Sequence, residues 1–302
     1  MSLRNVIYYN AGNDKIPLGV GLNQLPYTDV IVANLQPTSA TDRTLIGWGN
    51  AFDKELQNNI RWLQRANKYV LISFGGGSND KLTTAAYQYY ADNVTALVNQ
   101  IVAFVKYYNF NGVDIDYEDS AGFGEHPAYD GVGFLSALTS GLYQALPVST
   151  RVGDLVQPQN IITHAPQTPY WDSHSIYARG GTPPYWHIWK NAGSKIAWIN
   201  NQFYSNDAYD KTAALKVEKY RAVAGLIGAQ KLLMGVSLGG AEGAETLSDM
   251  VHNVIPPLKA QYGSQFGGVM GWQFSNDHGG AWANGISQAL GPGAAVTSGK
   301  AA

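Results

Sequence analysis

The chain has 302 residues, 45% of them hydrophobic and 14% charged, with a formal net charge of -2. That length suits one large α/β domain or two small ones, and with no basic stripe or acidic block the charge gives no pointer to nucleic acid or a membrane surface. The absence of cysteine excludes disulfides, thiolate metal sites and cysteine nucleophiles.

The chain opens Met1-Ser2-Leu3-Arg4 and runs into apolar sequence without a signal-peptide core, and no stretch is long enough to span a bilayer. A secreted protein whose leader has been removed is favoured over a cytoplasmic one. Short β-branched and aromatic runs then alternate with helix-like segments. In chain order, strands are expected at 5–9 and 30–35, a helix at 52–65, a strand at 69–74 and a helix at 84–107. In that helix apolar residues recur at Leu97, Ile101, Phe104 and Val105. A strand at 112–117, a helix at 133–145 and strands at 160–164 and 197–204 follow. A helix at 211–226, a strand at 232–238, a helix at 246–259 and a strand at 268–274 complete the series. Most strands are apolar on both faces, as parallel strands covered by helices are. Eight such units predict a single (β/α)8 TIM barrel over 1–302, with 291–302 a fraying tail. A doubly wound open sheet is the alternative. In a barrel, chemistry sits at the C-terminal ends of the strands.

The fourth strand reads Asn111-Gly112-Val113-Asp114-Ile115-Asp116-Tyr117-Glu118. Side chains alternate along a strand, so the three acids share one face and Val113, Ile115 and Tyr117 the other. The apolar set packs under helices, which leaves the acids in the barrel interior. Carboxylates spaced ~7 Å apart there repel one another, and some must be protonated. A solvated edge strand would explain the acids, but a closed barrel has no edge. A Mg²⁺ or Ca²⁺ site is the other reading.

Such a set can perform acid catalysis at a glycosidic oxygen. Glu118 lies nearest the mouth, with its pKa expected to be raised by Asp116, which can turn toward either neighbour. Asp114, deepest, would share a proton with Asp116. No second carboxylate stands out as the nucleophile of a two-carboxylate retaining enzyme. A substrate bearing an N-acetyl group removes that need, because its own carbonyl oxygen can attack the anomeric carbon.

These residues resemble glycoside hydrolase family 18, the chitinases and endo-β-N-acetylglucosaminidases. The family's strand-four motif, Asp-Gly-x-Asp-x-Asp-x-Glu, is matched from Gly112 through Glu118, and its strand-three motif by Ser73-Phe74-Gly75-Gly76. Ala165-Pro166-Gln167, Gln202-Phe203-Tyr204, and Gly268-Val269-Met270-x-Trp272 followed by Asp277 are similar to the hevamine-like, plant class III branch. The resemblance implies a retaining, substrate-assisted mechanism. Glu118 would be the acid and then the base for water, and Asp116 would orient the acetamido group. Tyr204 would hydrogen-bond that group's oxygen and Gln202 would line the same pocket. Trp272 would be the floor beneath the sugar, and Tyr8 (or Tyr9) a wall.

Three departures stand out. Asn111 replaces the first motif aspartate, below the catalytic face, with little effect expected on chemistry. Asn206 stands where the larger chitinases carry Asp, as in the short branch, with Asp207 beside it. The plant proteins' disulfides are missing, which points to a distant relative. Only 239–267 separate the last two strands, too few for the small α+β insertion domain of the larger chitinases. A shallow, open groove and internal cleavage are expected.

Eight Trp and 19 Tyr suit sugar faces and cores alike. Trp186 and Trp189 have helical spacing and read as packing, whereas Trp171, after Gln167, reads as a substrate contact. His164, His174 and His187 match no compact ligand motif, so neither metal nor cofactor is expected, and His164 would point near the mouth. Gly75-Gly76-Gly77 lacks the Lys-Ser/Thr of a phosphate loop and reads as close backbone packing. Asp277 and His278 would shape the groove, and Asp154, Glu242 and Glu245 would be surface residues.

Three functions compete: a chitinase on β-1,4-linked N-acetylglucosamine, an endo-β-N-acetylglucosaminidase on the N-glycan core, and a non-catalytic chitin-binding lectin. The lectin usually loses the acid, and Glu118 is present. The expected partner is an N-acetylglucosamine saccharide, with no nucleic acid or membrane partner, and the chain is expected to be a monomer.

Overall fold

The computed structural model describes residues 3–14, 18–49, 52–53, 55–77, 80–239 and 245–291. The strands are β1 (Arg4–Asn10), β2 (Asp29–Pro37), β3 (Leu45–Gly47), β4 (Tyr69–Gly75), β5 (Gly112–Asp116) and β6 (Thr150–Val152). They continue as β7 (Leu155–Gln157), β8 (Ile161–His164), β9 (Trp198–Gln202), β10 (Leu232–Ser237) and β11 (Gly268–Trp272). Strand order around the sheet is β1-β11-β10-β9-β8-β5-β4-β2, and β2 pairs back onto β1. This is the (β/α)8 barrel, each of whose eight strands was expected at its place in the chain. β3 adds an antiparallel arm to β2, and β6 with β7 forms a separate hairpin. Neither is evident from alternation, since each has only three residues.

The helices are α1 (Leu18–Leu22), α2 (Leu56–Arg65), α3 (Thr84–Asp92), α4 (Val94–Tyr108), α5 (Gly131–Ala145) and α6 (Pro184–Ala192). They continue as α7 (Asp207–Asp210), α8 (Ala213–Ile227), α9 (Leu247–Asp249), α10 (Ile255–Tyr262) and α11 (Ala281–Leu290). Local chemistry sets several starts. Thr83, Asp130 and Thr212 each cap a helix by accepting a backbone N–H, from Ala86, Gly133 and Leu215. The single helix expected over 84–107 is two. Asn93 leaves helical geometry at φ -126, ψ 38, and its side-chain amide donates to Tyr89 O at 2.9 Å. The segment expected as one helix over 246–259 widens into a π turn at Met250–Val254, directly before Pro256 and Pro257. Prolines have no N–H to give to the preceding turn, so the ladder cannot continue in α register.

The chain divides into two compact units. The first comprises Met1–Val32, Gly49–Val70 and Asn200–Ala302, and the second Ala33–Trp48 and Leu71–Ile199. In the first, β11 runs parallel between β1 and β10, with Ile7 opposite Gly271 and Ser237 opposite Trp272. In the second, β5 runs parallel between β4 and β8. β10 is buried along its whole length, which accounts for its apolar run, and β5 and β9 are equally buried although they carry Asp114, Asp116, Asn200, Asn201 and Gln202. Among the described residues between β10 and β11 only helical turns occur, with no added sheet. Residues 292–302 of the expected tail, and Glu242, lie outside the described residues.

Candidate active site

The centre of the second unit is the acid-bearing face of β5. Ser73 on β4, Asp114 on β5 and Thr163 on β8 stand opposite one another in register, so all three side chains share that face. Asp114 is 0% exposed. Its Oδ1 accepts from Thr163 Oγ1 at 2.6 Å and its Oδ2 from Ser73 Oγ at 3.0 Å. Two neutral hydroxyls thus hold the buried carboxyl group, one on each oxygen. Asp116, opposite Gly75, is 5% exposed, and Glu118, just past the strand end, is half-buried.

The turn after β4 is shaped around these acids. Gly75 has φ +121, and a Cβ there would lie 1.9 Å from Asp116 O. No other residue fits. Gly76 N donates to Asp116 O at 2.7 Å, and Asn34 Nδ2, from β2, donates to Gly75 O at 2.9 Å. At Gly77 a Cβ would meet Glu118 Oε2 at 2.3 Å, so the Glu118 carboxylate lies directly against this backbone. The glycine triplet serves close packing beside β5, as its sequence context indicates. At the other end of β5, Asn111 donates to Gln157 Oε1 at 3.2 Å and Pro158 O at 3.0 Å, tying the strand start to the end of β7.

On the opposite face, Val113 and Ile115 are fully buried, and Tyr117 is 1% exposed among Tyr87, Phe123 and Phe134. His164 also belongs there, which corrects the expectation that it points near the mouth. Because Thr163 faces inward, its neighbour must face the helices. The ring nitrogens of His164 lie 2.9 Å from Thr139 Oγ1 and 3.3 Å from Tyr185 OH, and burial lowers its pKa to about 3.

Gln167 is half-buried and starts the short turn Thr168–Trp171. Trp171 is 5% exposed, with its ring 5.3 Å from that of Tyr185. Trp186 and Trp189 lie on α6, where Lys190 covers the Trp186 ring.

The remaining candidates belong to the first unit. Tyr8 and Trp272 meet edge to face, with ring centroids 5.5 Å apart. Tyr9 faces the other way and stacks on Phe274 at 6.3 Å, so of the two tyrosines it is Tyr8 that shares a face with Trp272. Gln202 ends β9 at 5% exposure, and Tyr204 follows, half-buried. Asn206 Nδ2 donates to Tyr204 O at 3.2 Å, and Asn206 N donates to Asp210 Oδ2 at 2.8 Å. Lys216, 0% exposed, donates to Asp210 O and pairs with Glu245 Oε1 at 3.0 Å. Burial raises the Asp210 pKa. Glu245 is therefore not the surface residue that its place outside any strand suggests. Asp277 accepts from Trp282 N at 2.7 Å and Tyr27 OH at 2.5 Å, which makes it the N-terminal anchor of α11.

Among the described residues no group of three or more His, Cys, Asp or Glu could hold a metal ion, and no helix is long and apolar enough to cross a membrane. Sequence reasoning missed Asn34, Thr163 and Lys216. Thr163 had a signal: a polar residue in an apolar run, one before a strand end. Asn34 and Lys216 had none, because partners so distant in sequence meet only through the fold.

A barrel carrying a row of buried carboxylates along one strand, with a half-buried glutamate at its end, has the arrangement of a glycoside hydrolase. The chain belongs to the glycosyl hydrolases family 18, whose description it matches over residues 4–246. It is 28% identical over 222 residues to Endochitinase 37 of Trichoderma harzianum, an alignment covering 68% of this chain and 56% of that protein. It is 33% identical over 156 residues to Endochitinase 4 of Metarhizium robertsii, covering 48% and 39%. The chain thus spans about half the length of these curated relatives or less. Among solved structures, a GH18 chitinase from Pseudoalteromonas aurantia superposes with a TM-score of 0.81 at 32% identity, covering 95% of this chain and 99% of that one.

Proposed function

We propose that the chain is a retaining chitinase that cleaves β-1,4-linked N-acetylglucosamine polymers internally, with the substrate's own acetamido group as nucleophile. The observation that carries this reading is the division of labour along β5. Asp114 is sealed and satisfied by hydroxyls, Asp116 is one step nearer the mouth, and Glu118 stands half-buried at the strand end against Gly77. The names of the two fungal relatives and of the bacterial structure support the substrate class.

In the first step Glu118 gives its proton to the glycosidic oxygen as the C1–O bond breaks, and the acetamido carbonyl oxygen bonds to C1. Asp116 orients the acetamido N–H and offsets the charge of the resulting oxazolinium ion. Glu118, now a carboxylate, takes a proton from water, whose oxygen attacks C1 and reopens the ring with net retention. The family resemblance gives Tyr204 and Gln202 roles at the acetamido group, Trp272 and Tyr8 roles beneath and beside the sugar, and Asn206 and Gln167 supporting polar roles. The motif of Gln202-Phe203-Tyr204 and the helical connection before β11 favour the short, hevamine-like branch with an open groove.

The test is incubation with chitin oligomers and, in parallel, with a high-mannose glycoprotein, followed by mass analysis of the products. Cleavage of the oligomers at internal bonds is expected. Cleavage of the glycoprotein alone would replace this reading with an endo-β-N-acetylglucosaminidase, and binding of chitin without cleavage of either would leave a lectin. A product series dominated from the outset by disaccharide would contradict internal cleavage.

A further inference from the structure

The two residues that flank Glu118 are tied to a single side chain. Tyr117 points away from the acid-bearing face, and its OH lies 2.5 Å from the OH of Tyr129. Tyr129 in turn donates to Asp119 Oδ2 at 2.9 Å. A phenol has one proton, so with that proton committed to Asp119 the Tyr117 hydroxyl must be the donor to the Tyr129 oxygen. The relay therefore runs in one direction, Tyr117 to Tyr129 to Asp119, and brackets Glu118 on both sides.

Its ends are anchored. The Tyr117 ring is 1% exposed, with Tyr87 at 5.0 Å and Phe123 at 5.2 Å. Asp119 Oδ1 accepts from Thr84 Oγ1, at the start of α3, at 3.1 Å and from Ala121 N at 3.2 Å. Tyr129 is 8% exposed and directly precedes Asp130, the cap of α5. Burial holds both phenols far above their ordinary range, so they stay protonated donors wherever the protein is folded. The Tyr129 hydroxyl thus joins the backbone on either side of Glu118 to the start of α5, and the Thr84 hydroxyl ties Asp119 to the start of α3, while the Glu118 carboxylate itself lies on the opposite side, against Gly77.

We propose that Tyr129 is a positioning residue that fixes the setting of Glu118 through its two chain neighbours, and that it serves proton donation to the leaving group rather than sugar binding. The proposal rests on Glu118 being the acid. A proton transfer is sensitive to small misplacement of the donor, whereas contacts to the sugar do not run through this relay.

The test compares two substrates in wild type and Tyr129→Phe. Cleavage of chitotetraose expels a poorly acidic sugar hydroxyl and needs the proton from Glu118. Cleavage of the 4-nitrophenyl glycoside of N,N'-diacetylchitobiose expels a stable 4-nitrophenolate and needs little. In Tyr129→Phe, kcat/KM on the tetramer is expected to fall about tenfold, mostly in kcat, and that on the aryl glycoside less than about twofold. Asp119→Ala breaks the relay at its other end and is expected to change the ratio by a similar factor. The double variant is expected to add nothing further, because both act through one chain of bonds. Thermal unfolding of each variant checks that it folds. Equal losses on both substrates, or additive losses in the double variant, would overturn the proposal. A wild type that cleaves neither substrate would instead overturn the reading of the site, and the positioning role with it.

Discussion

Asp114 in the second unit and Lys216 in the first are both sealed from solvent, at 0% exposure, yet the protein compensates their charges differently. Asp114 is met by the hydroxyls of Ser73 and Thr163, neutral donors to each of its oxygens. Lys216 is met by the carboxylate of Glu245 at 3.0 Å and the carbonyl of Asp210, so its charge is cancelled where it sits. A neutralised pair has little field to lend to a reaction and serves to join segments. A charge held by dipoles keeps its field, and it lies on the face that also bears Asp116. The contrast separates a joint from the proposed working site.

The largest expected effect is on the working side. Glu118→Gln keeps the size of the side chain and removes the proton that the proposed mechanism has it donate and later recover. Activity on chitin oligomers is expected to fall about 10²–10⁴-fold, with the unfolding midpoint within a degree or two of wild type. Retained activity, measured on protein free of wild-type contamination, would remove Glu118 from its assigned role.

The joint should fail by unfolding instead. Lys216→Met strands Glu245 as a buried charge without a partner, and a loss of about 3–5 kcal/mol is expected in urea denaturation. Lys216→Met combined with Glu245→Gln should recover much of that loss, since no unpaired charge then remains. If the single variant is as stable as wild type, the pair is not what joins the Tyr204 segment to the segment before α9.

The two regions also differ in how much of them could be read from sequence. Asp114, Asp116 and Glu118 were legible because a strand has period two, and three acids at that spacing have one common face. Eight short apolar runs alternating with helical patterns made the barrel legible for the same reason of periodicity. The joint was not legible. Lys216 sits in an ordinary helical pattern and Glu245 in a glycine-rich stretch, and only tertiary packing brings them to 3.0 Å. His164 was misread because the strand end was identified but its parity was not. One residue of register decides whether a side chain meets the substrate side or the helices.

That parity gives a smaller, pH-dependent effect. His164 is buried neutral, with its pKa lowered to about 3 from the ordinary 6.5. Between those values the unfolded chain takes up a proton that the folded chain refuses, so stability falls as pH drops through 6.5 toward 3. Each pH unit within the window costs up to ~1.4 kcal/mol from this group. From pH 6.5 to 4.5 the share is about 2–3 kcal/mol. His164→Gln should be less stable than wild type at neutral pH, and the difference should shrink as the pH is lowered to 4.5. A gap that stays constant in urea titrations at both pH values would show that His164 takes up its proton in the folded state.

The smallest effect sharpens the comparison most, because it asks whether neutral donors suffice for Asp114. Ser73→Ala and Thr163→Val each remove one hydroxyl and leave the other oxygen's partner in place. A hydrogen bond to a charged group contributes about 1.5–3 kcal/mol, and the bond from Thr163 at 2.6 Å is shorter than that from Ser73 at 3.0 Å. Thr163→Val should therefore cost the more of the two, with Ser73→Ala near the lower end of that range. The two hydroxyls share one acceptor, so the double variant should cost more than the sum of the single ones, as Asp114 is left without either. If Asp114→Asn then restores stability to the double variant, the penalty is that of a buried charge, and the hydroxyls' function is to keep that charge tolerable beside Asp116. If it does not, the hydroxyls serve only to fix the strand register, and the contrast with Lys216 is one of geometry rather than of charge.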